Sequence, residues 1–457
     1  MAKENKKAAL SMEERLDAAL VPDWEQPYKV PANWCWTTVK TLCTLINGRA
    51  FKPADWSETG LPIVRIQNLN NPEAAYNYYS GLVDPAHMLK GQELLFAWSG
   101  TPGTSFGAHI WWGNEAVLNQ HIFKVLFDER HVDKTYLKYA INQQLEWLIS
   151  VAHGGAGLQH VTKGVFESTP IPLPPYAEQQ RIVDRIESLF AKLDEAKEKA
   201  QAVVDGYDAR RAAILHKAFT GELTEKWRSV RGVKKDSWLN TDLSHSVLSF
   251  KYGTSEKSTY ENTGMPVFRI PNVTDLGLSF EDLKYLPHDD IPYESQIHKN
   301  EILIIRSNGS RDLVGKSVLV PHLDRQYAYA SFLIKAVPAK MIDPAFLVYY
   351  LNSADARNQM FKKAKSTAGI NNINSKELGE ITISIPPLQE QAEIVSILDK
   401  LLEGEMQAVE TAKNAVGKIE QMKKAILARA FRGELGTNDP NDENAIELLK
   451  QVLKEVL

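Results

Sequence analysis

Arginine and amide side chains recur at matched positions in two parts of this 457-residue chain, and they are the groups that pair with the edges of nucleic-acid bases. Arg pairs bidentately with guanine, and Asn or Gln with adenine, while Ser, Thr and Lys serve phosphate contacts. The first matched place is Arg65 with Asn68 in GLPIVRIQN (60–68), answered by Arg269 with Asn272 in GMPVFRIPN (264–272). The second follows the runs ELLFAW (93–98) and EILIIR (301–306). It offers Ser99, Thr101 and Thr104 in one copy and Arg306, Asn308, Ser310, Arg311 and Lys316 in the other. Gly100, Gly103 and Gly309 permit tight turns there. The third sets Gln159 and His160 beside Gly157, against Asn371 and Asn372 beside Gly369. Two of the places have a second reading: Arg269 of the first as an ion-pair partner, and the amides of the third as caps of a polar turn.

Residues for bond-making chemistry are missing. A methyltransferase grips its target amine with an Asn/Asp-Pro-Pro-aromatic motif. The nearest segment, LPPY (173–176), carries Leu173 where the polar residue belongs and is explained by its place at a helix start. There is no Gly-rich loop followed by Lys-Ser/Thr, so ATP use is not supported. His109, His121, His153 and His160 do not form a metal-spaced cluster with Cys35 and Cys43. The reading is of a non-catalytic chain with no metal.

The elements that must position these groups are themselves duplicated. RAAILHKAFTGELT (211–224) returns as KKAILARAFRGELG (423–436), and PPYAEQQRIV (174–183) as PPLQEQAEIV (386–395), at a shift of 212 residues. That period is far too long for a solenoid and implies a folded unit plus a helix, repeated once. Short strand-like runs broken by Gly, Asn and Pro fill 33–173 and 225–385, each with one helical stretch, at 135–151 and 344–365. Each region ends at a proline pair, Pro174–Pro175 or Pro386–Pro387, and enters a long helix. Glu178 and Glu390 fall in the first turns, where the helix dipole favours a carboxylate.

In the first helix Ile182, Ile186, Leu189, Leu193, Ala196, Ala200, Val203 and Tyr207 form a heptad seam. In the second, Ile394, Leu398, Leu401, Ala408, Ala412, Ala415, Ile419, Met422 and Ile426 follow, with Glu405 interrupting. At roughly 40 residues each, the helices would reach roughly 60 Å. The expected fold is α+β: two mixed, mostly β domains in tandem, separated by two long helices packing as an antiparallel coiled coil, pseudo-twofold symmetric. The divisions are 1–30 (arm), 31–173, 174–224 (helix 1), 225–385, 386–435 (helix 2) and 436–457 (tail with a short helix). Such an arrangement resembles a dimeric reader of a palindrome fused into one chain, and two unlike domains suit two different half-sites.

Composition is that of a globular protein, 44% hydrophobic and 24% charged, with a net charge of −4. The charge argues against general coating of nucleic acid but allows a local footprint. Two cysteines and no signal-peptide pattern favour the reducing cytoplasm. The longest apolar runs are too short for a bilayer, so no membrane role is expected.

The duplicated PPYAEQQRIVDRIESLF and PPLQEQAEIVSILDKLL, each followed by AIL-x-x-AF-x-GEL, resemble the specificity subunit of type I restriction–modification enzymes. So do TEKWR (224–228) and the GAGLQHV and AGINNIN segments. The likeness covers about 31–435. It implies two target-recognition domains reading a bipartite, asymmetric double-stranded DNA site. It also implies two methyltransferase subunits docked on the helices, near Glu178, Gln179, Glu390 and Gln391, with restriction/translocase subunits joining through them. S-adenosylmethionine, ATP and Mg2+ would belong to those partners, and none to this chain. Two departures stand out: a longer arm before Pro31, and GTNDPNDE (436–443) where the first copy has TEKWR. Both ends are read as partner contacts or as a solvated tail. The competing readings are an autonomous DNA-binding regulator and a coiled-coil scaffold.

Overall fold

Strands Leu94–Ala97 and Ile302–Ile305 are buried at every position, without the alternation expected of a strand with one wet face. The structure, a computed structural model, gives the reason. It describes residues 10–71, 73–100, 106–155, 158–367 and 370–455. It divides into two compact units, one of residues 1–198 with 416–457, the other of residues 199–415. In each unit the strand lies inside a four-stranded antiparallel sheet with a core on either face. Leu94 and Phe96 face one core and Leu95 the other; Ile302 and Ile304 face one, Leu303 and Ile305 the other. Each fully buried Leu or Ile side chain contributes about 1.5–3 kcal/mol by leaving water, which favours these runs over polar alternatives.

The two units repeat one topology. The first orders its central sheet as Thr44–Asn47, Ile122–Leu126, Leu94–Ala97, Gly107–Ile110; the second as Val247–Tyr252, Leu333–Pro338, Ile302–Ile305, Ser317–Leu319. A smaller sheet holds a parallel pair, Leu61–Val64 with Ala116–Leu118 in the first and Pro266–Phe268 with Ala328–Tyr329 in the second. The expected helical stretches are each broken. The first is split at Gln144 into Lys134–Gln143 and Leu145–Ser150. The second is split at 352–353 into Pro344–Leu351 and Ala354–Lys363, where the Ser353 side chain caps the new helix. Asn142 and Asn352 end the earlier helices by clamping both backbone groups of Ala108 and Ser317.

The long helices are Tyr176–Asp205, Tyr207–Thr220 and the unbroken Leu388–Ala430. Helical segments run antiparallel within each unit: Lys197 pairs with Glu420 and Lys423 with Asp194 in the first, and Arg210 with Glu405 in the second at 2.8 Å. The second seam differs from the expected register. Leu402, Ala412 and Ile419 are buried, with Glu405, Val409 and Val416 half-buried between them, whereas Leu401, Ala408 and Met422 are exposed. Glu405 holds a seam position because Arg210 answers it. In the first helix Ala196 is exposed and Leu189, Leu193, Ala200 and Val203 are only half-buried. The repeated glycines of AF-x-GEL sit past the helix ends, Gly221 at φ +85° and Gly433 at +73°, where a Cβ would be strained.

Glu178, Gln179, Glu390 and Gln391, expected at a partner-docking surface, are fully buried. They bind each domain to its own helix. Gln179 accepts from the Asp133 N–H and donates to His131 O and Pro174 O; Gln391 does the same with Asp343, Met341 and Pro386. Glu178 accepts from Trp34 Nε1 at 2.7 Å, and Glu390 from Trp238 Nε1 at 3.0 Å. Glu390 is completed by Arg228 and Thr224, at 2.6 and 2.7 Å. Glu178 receives Asn438 Nδ2 at 2.8 Å instead.

The C-terminal segment is therefore neither a solvated tail nor a free arm. Helix Ala445–Glu455 buries Ala445, Leu448, Leu449, Val452 and Leu453 in the first unit's main core, against the N-terminal helix Met12–Ala19.

Candidate nucleic-acid interface

The second and third matched places are two halves of one small sheet. Strand Leu158–His160 pairs with Ser99–Gly100, placing His160 opposite Ser99 and Gln159 opposite Gly100. In the second unit Ser307 lies opposite Asn372 and Asn308 opposite Asn371. The same backbone bonds fix both copies. Val161 N–H donates to Trp98 O and Ile373 N–H to Arg306 O, each at 2.9 Å. Trp98 N–H donates to His121 O and Arg306 N–H to Phe332 O. Trp98 and Arg306 thus occupy one backbone position, and His121 and Phe332 another, with unlike side chains at both.

Around these positions the first unit gathers aromatic and imidazole groups. The Trp98 ring centre lies 5.3 Å from that of His121 and 5.8 Å from that of His160, and Trp98 Nε1 donates to Asn47 Oδ1. Gln120 and His121 side chains bond to each other at 3.2 Å. Burial, then His160 and Arg65, hold the His121 imidazole below its ordinary range. Phe51, Trp56, Arg65, Gln67, Gln120 and His121 line a hollow of about 430 Å³. In the second unit the Arg306 guanidinium lies 4.7 Å over the Tyr252 ring, a pairing that holds the cation without cancelling its charge.

Several expected contacts have structural duties. Asn68 and Asn272 are buried. Each accepts from the backbone N–H of Arg65 or Arg269 and donates to a carbonyl of the following loop, Ala74 or Glu281, so neither presents an amide outward. Ser99 is also buried. Arg269 is held by Asp282 through its carbonyl at 2.6 Å and its carboxylate at 3.1 Å, which favours the ion-pair reading. Lys316 pairs with Asp275 at 2.9 Å, and Arg311 turns to Phe361. Asn308 accepts from the Ser310 N–H, Asn371 donates to Gly309 O, and Asn372 to Ile370 O at 3.4 Å. All three are partly exposed. Arg65 and His160 keep partly exposed side chains. Thr101 and Thr104 lie outside the described residues, and Gln159 is described through its backbone alone.

Residues that the spacing did not single out stand beside these: Asn47, Trp98, Gln120 and His121 in the first unit, Tyr252 and Phe332 in the second. Arg49, 4.4 Å from the Tyr79 ring centre, and Tyr260, between Arg269 and Lys284, belong to the same class. The signal was present in the repeat, since LNQHIFKV (118–125) aligns with YASFLIKA (329–336). Elsewhere, Asp128, His131 and Glu455 come together, but Arg130 already bridges the two carboxylates at 2.5 Å each. Cys35 and Cys43 are free buried thiols, and burial pushes Cys35 up to about 12, far from a reactive thiolate.

Comparison with known proteins accords with this geometry. The family model of the type I restriction modification DNA specificity domain matches twice, at residues 31–204 and 246–417. The EcoKI specificity subunit of Escherichia coli K12 is 26% identical over 423 residues, 89% of this chain and 90% of its own length. The MjaVIII specificity subunit of Methanocaldococcus jannaschii is 25% identical over 440 residues, 90% of this chain and 95% of that protein. Among solved structures, a chain from a study of complex assembly and conformational transition of the type I R-M system aligns with a TM-score of 0.67 at 20% identity, covering 89% of this chain and all of that one. The HsdS subunit of Thermoanaerobacter tengcongensis aligns with a TM-score of 0.60 at 20% identity, covering 90% and 99%. At such identities the structural likeness speaks to the fold, and the family follows from the two domain matches spanning most of the chain. This chain belongs to the type I restriction–modification DNA specificity family.

Proposed function

We propose that this chain is the non-catalytic specificity subunit of a type I restriction–modification complex. Its two recognition domains, residues 31–173 and 225–385, each read one half of a bipartite, asymmetric double-stranded DNA site. The exposed faces of the long helices serve two methyltransferase subunits, through which restriction/translocase subunits join. S-adenosylmethionine, ATP and Mg2+ act in those partners, in the cytoplasm. One observation carries the reading: a single backbone scaffold occurs twice, with Trp98 and His121 in one copy where Arg306 and Phe332 stand in the other. Equal scaffolds with unequal side chains suit two readers of two different sequences.

The test is co-expression with the neighbouring methyltransferase subunit in a methylation-free host, followed by genome-wide mapping of methylated adenine. Two short blocks flanking a fixed gap are expected. Absence of methylation from a soluble complex would move the reading to an autonomous regulator or a scaffold.

A further inference from the structure

We propose that Gln120, positioned by His121, is the base-reading amide of the first domain, in place of the Arg65–Asn68 pair that its sequence advertises. This rests on the function proposed above and names the residues that set one half of the specificity. Their turn, residues 119–121, joins strand Ala116–Leu118 of the smaller sheet to Ile122–Leu126 of the central sheet, so both ends are rigidly held. Its carbonyl at His121 receives the Trp98 N–H, which ties it to the small sheet carrying His160. The turn therefore stands near all three matched places: with Arg65 it lines the hollow, and the His121 ring lies beside Trp98, which in turn lies beside His160.

The side chains fit the task. Both are partly exposed, and among the described residues the Gln120 amide bonds only His121. Gln120 Oε1 has no partner among the described residues, whereas the imidazole beside it is committed, His121 Nε2 to the Gln120 amide and His121 Nδ1 to a buried position. An amide with its oxygen open, steadied by a neighbouring imidazole, is arranged to meet the N6/N7 edge of adenine. Asn68, by contrast, spends its amide on backbone groups. At the equivalent backbone positions the second domain has Ser331 and Phe332, neither of which carries an amide for a bidentate contact, and it carries Arg306 in place of Trp98. The difference falls where two half-sites must be told apart.

The test uses the full chain in its methyltransferase complex. Wild type, Gln120→Ala, His121→Phe (the residue the second domain carries there) and Arg306→Ala are compared by methylome mapping. The purified complexes are then tested for binding to duplexes bearing every single base-pair change in the site. Gln120→Ala and His121→Phe should relax one or two positions of one half-site, cutting discrimination there by roughly tenfold or more. The other half-site, which Arg306→Ala alters, and the gap should stay as in wild type. Two results overturn the proposal: both half-sites unchanged in the two first-domain variants, or an equal loss of binding across all duplexes, the mark of a phosphate or structural contact. A wild-type complex with no bipartite motif would instead overturn the functional reading beneath it.

Discussion

An amide that reads a base edge and an amide that closes a backbone loop present the same donor and acceptor, so residue type and spacing cannot separate them. Asn68 and Asn272 close loops. Their substitution by alanine strands a backbone N–H and a loop carbonyl, so each variant should lose about 1–3 kcal/mol of stability while its methylated motif stays unchanged. Chemical denaturation beside methylome mapping checks both halves of that expectation. Histidine gives a second test at this scale. His109 is held below its ordinary value by burial and then by Lys138; His121 by burial, then His160 and Arg65. Near the ordinary value of 6.5 the unfolded chain takes up these protons and the folded chain does not. The unfolded state then binds more protons, so stability is complete above that pH and falls as pH drops below it. A His109→Asn/His121→Phe variant should show a shallower fall in urea midpoint between about pH 6.5 and 5. An unaltered slope would mean that neither imidazole is perturbed.

At the scale of elements, the duplicated proline pairs, the central apolar strands and the long helices were all legible, because each follows from a local period or a chain-geometry rule. What escaped depended on partners distant in sequence. Glu405 looked like an interruption of the heptads until Arg210 met it, and the seam runs through Leu402 instead of Leu401. Glu178 and Glu390 looked alike in their first turns, yet one is held by an amide and the other by a guanidinium. That contrast has a measurable consequence. Arg228→Ala leaves the buried Glu390 carboxylate without its cation and should cost about 3–5 kcal/mol. Asn438→Ala removes one hydrogen bond to Glu178 and should cost about 1.5–3 kcal/mol. Equal losses would show that the two anchors are equivalent despite their chemistry.

At the scale of the whole molecule, the duplication was plain in the sequence but the role of residues 437–455 was not, since GTNDPNDE bears no likeness to TEKWR. Position in three dimensions replaces sequence likeness: Asn438 reaches Glu178 as Arg228 reaches Glu390. The terminal helix then fills the first unit's core, with Ala445 N–H donating to Asn33 O at 2.9 Å. The first unit is therefore assembled from both ends of the chain, whereas the second is one continuous run, residues 199–415. Deleting residues 437–457 should strip the first unit of buried apolar surface and of a ligand to Glu178, and leave every contact of the second unit's cores in place. Hydrogen exchange followed by mass spectrometry is expected to show lost protection in Met12–Ala19 and Cys35–Thr38, with Ile302–Ile305 protected as in the intact chain. Loss of protection spread evenly over both units would mean that they unfold as one cooperative body, and that closure by the C-terminal segment supports the whole chain.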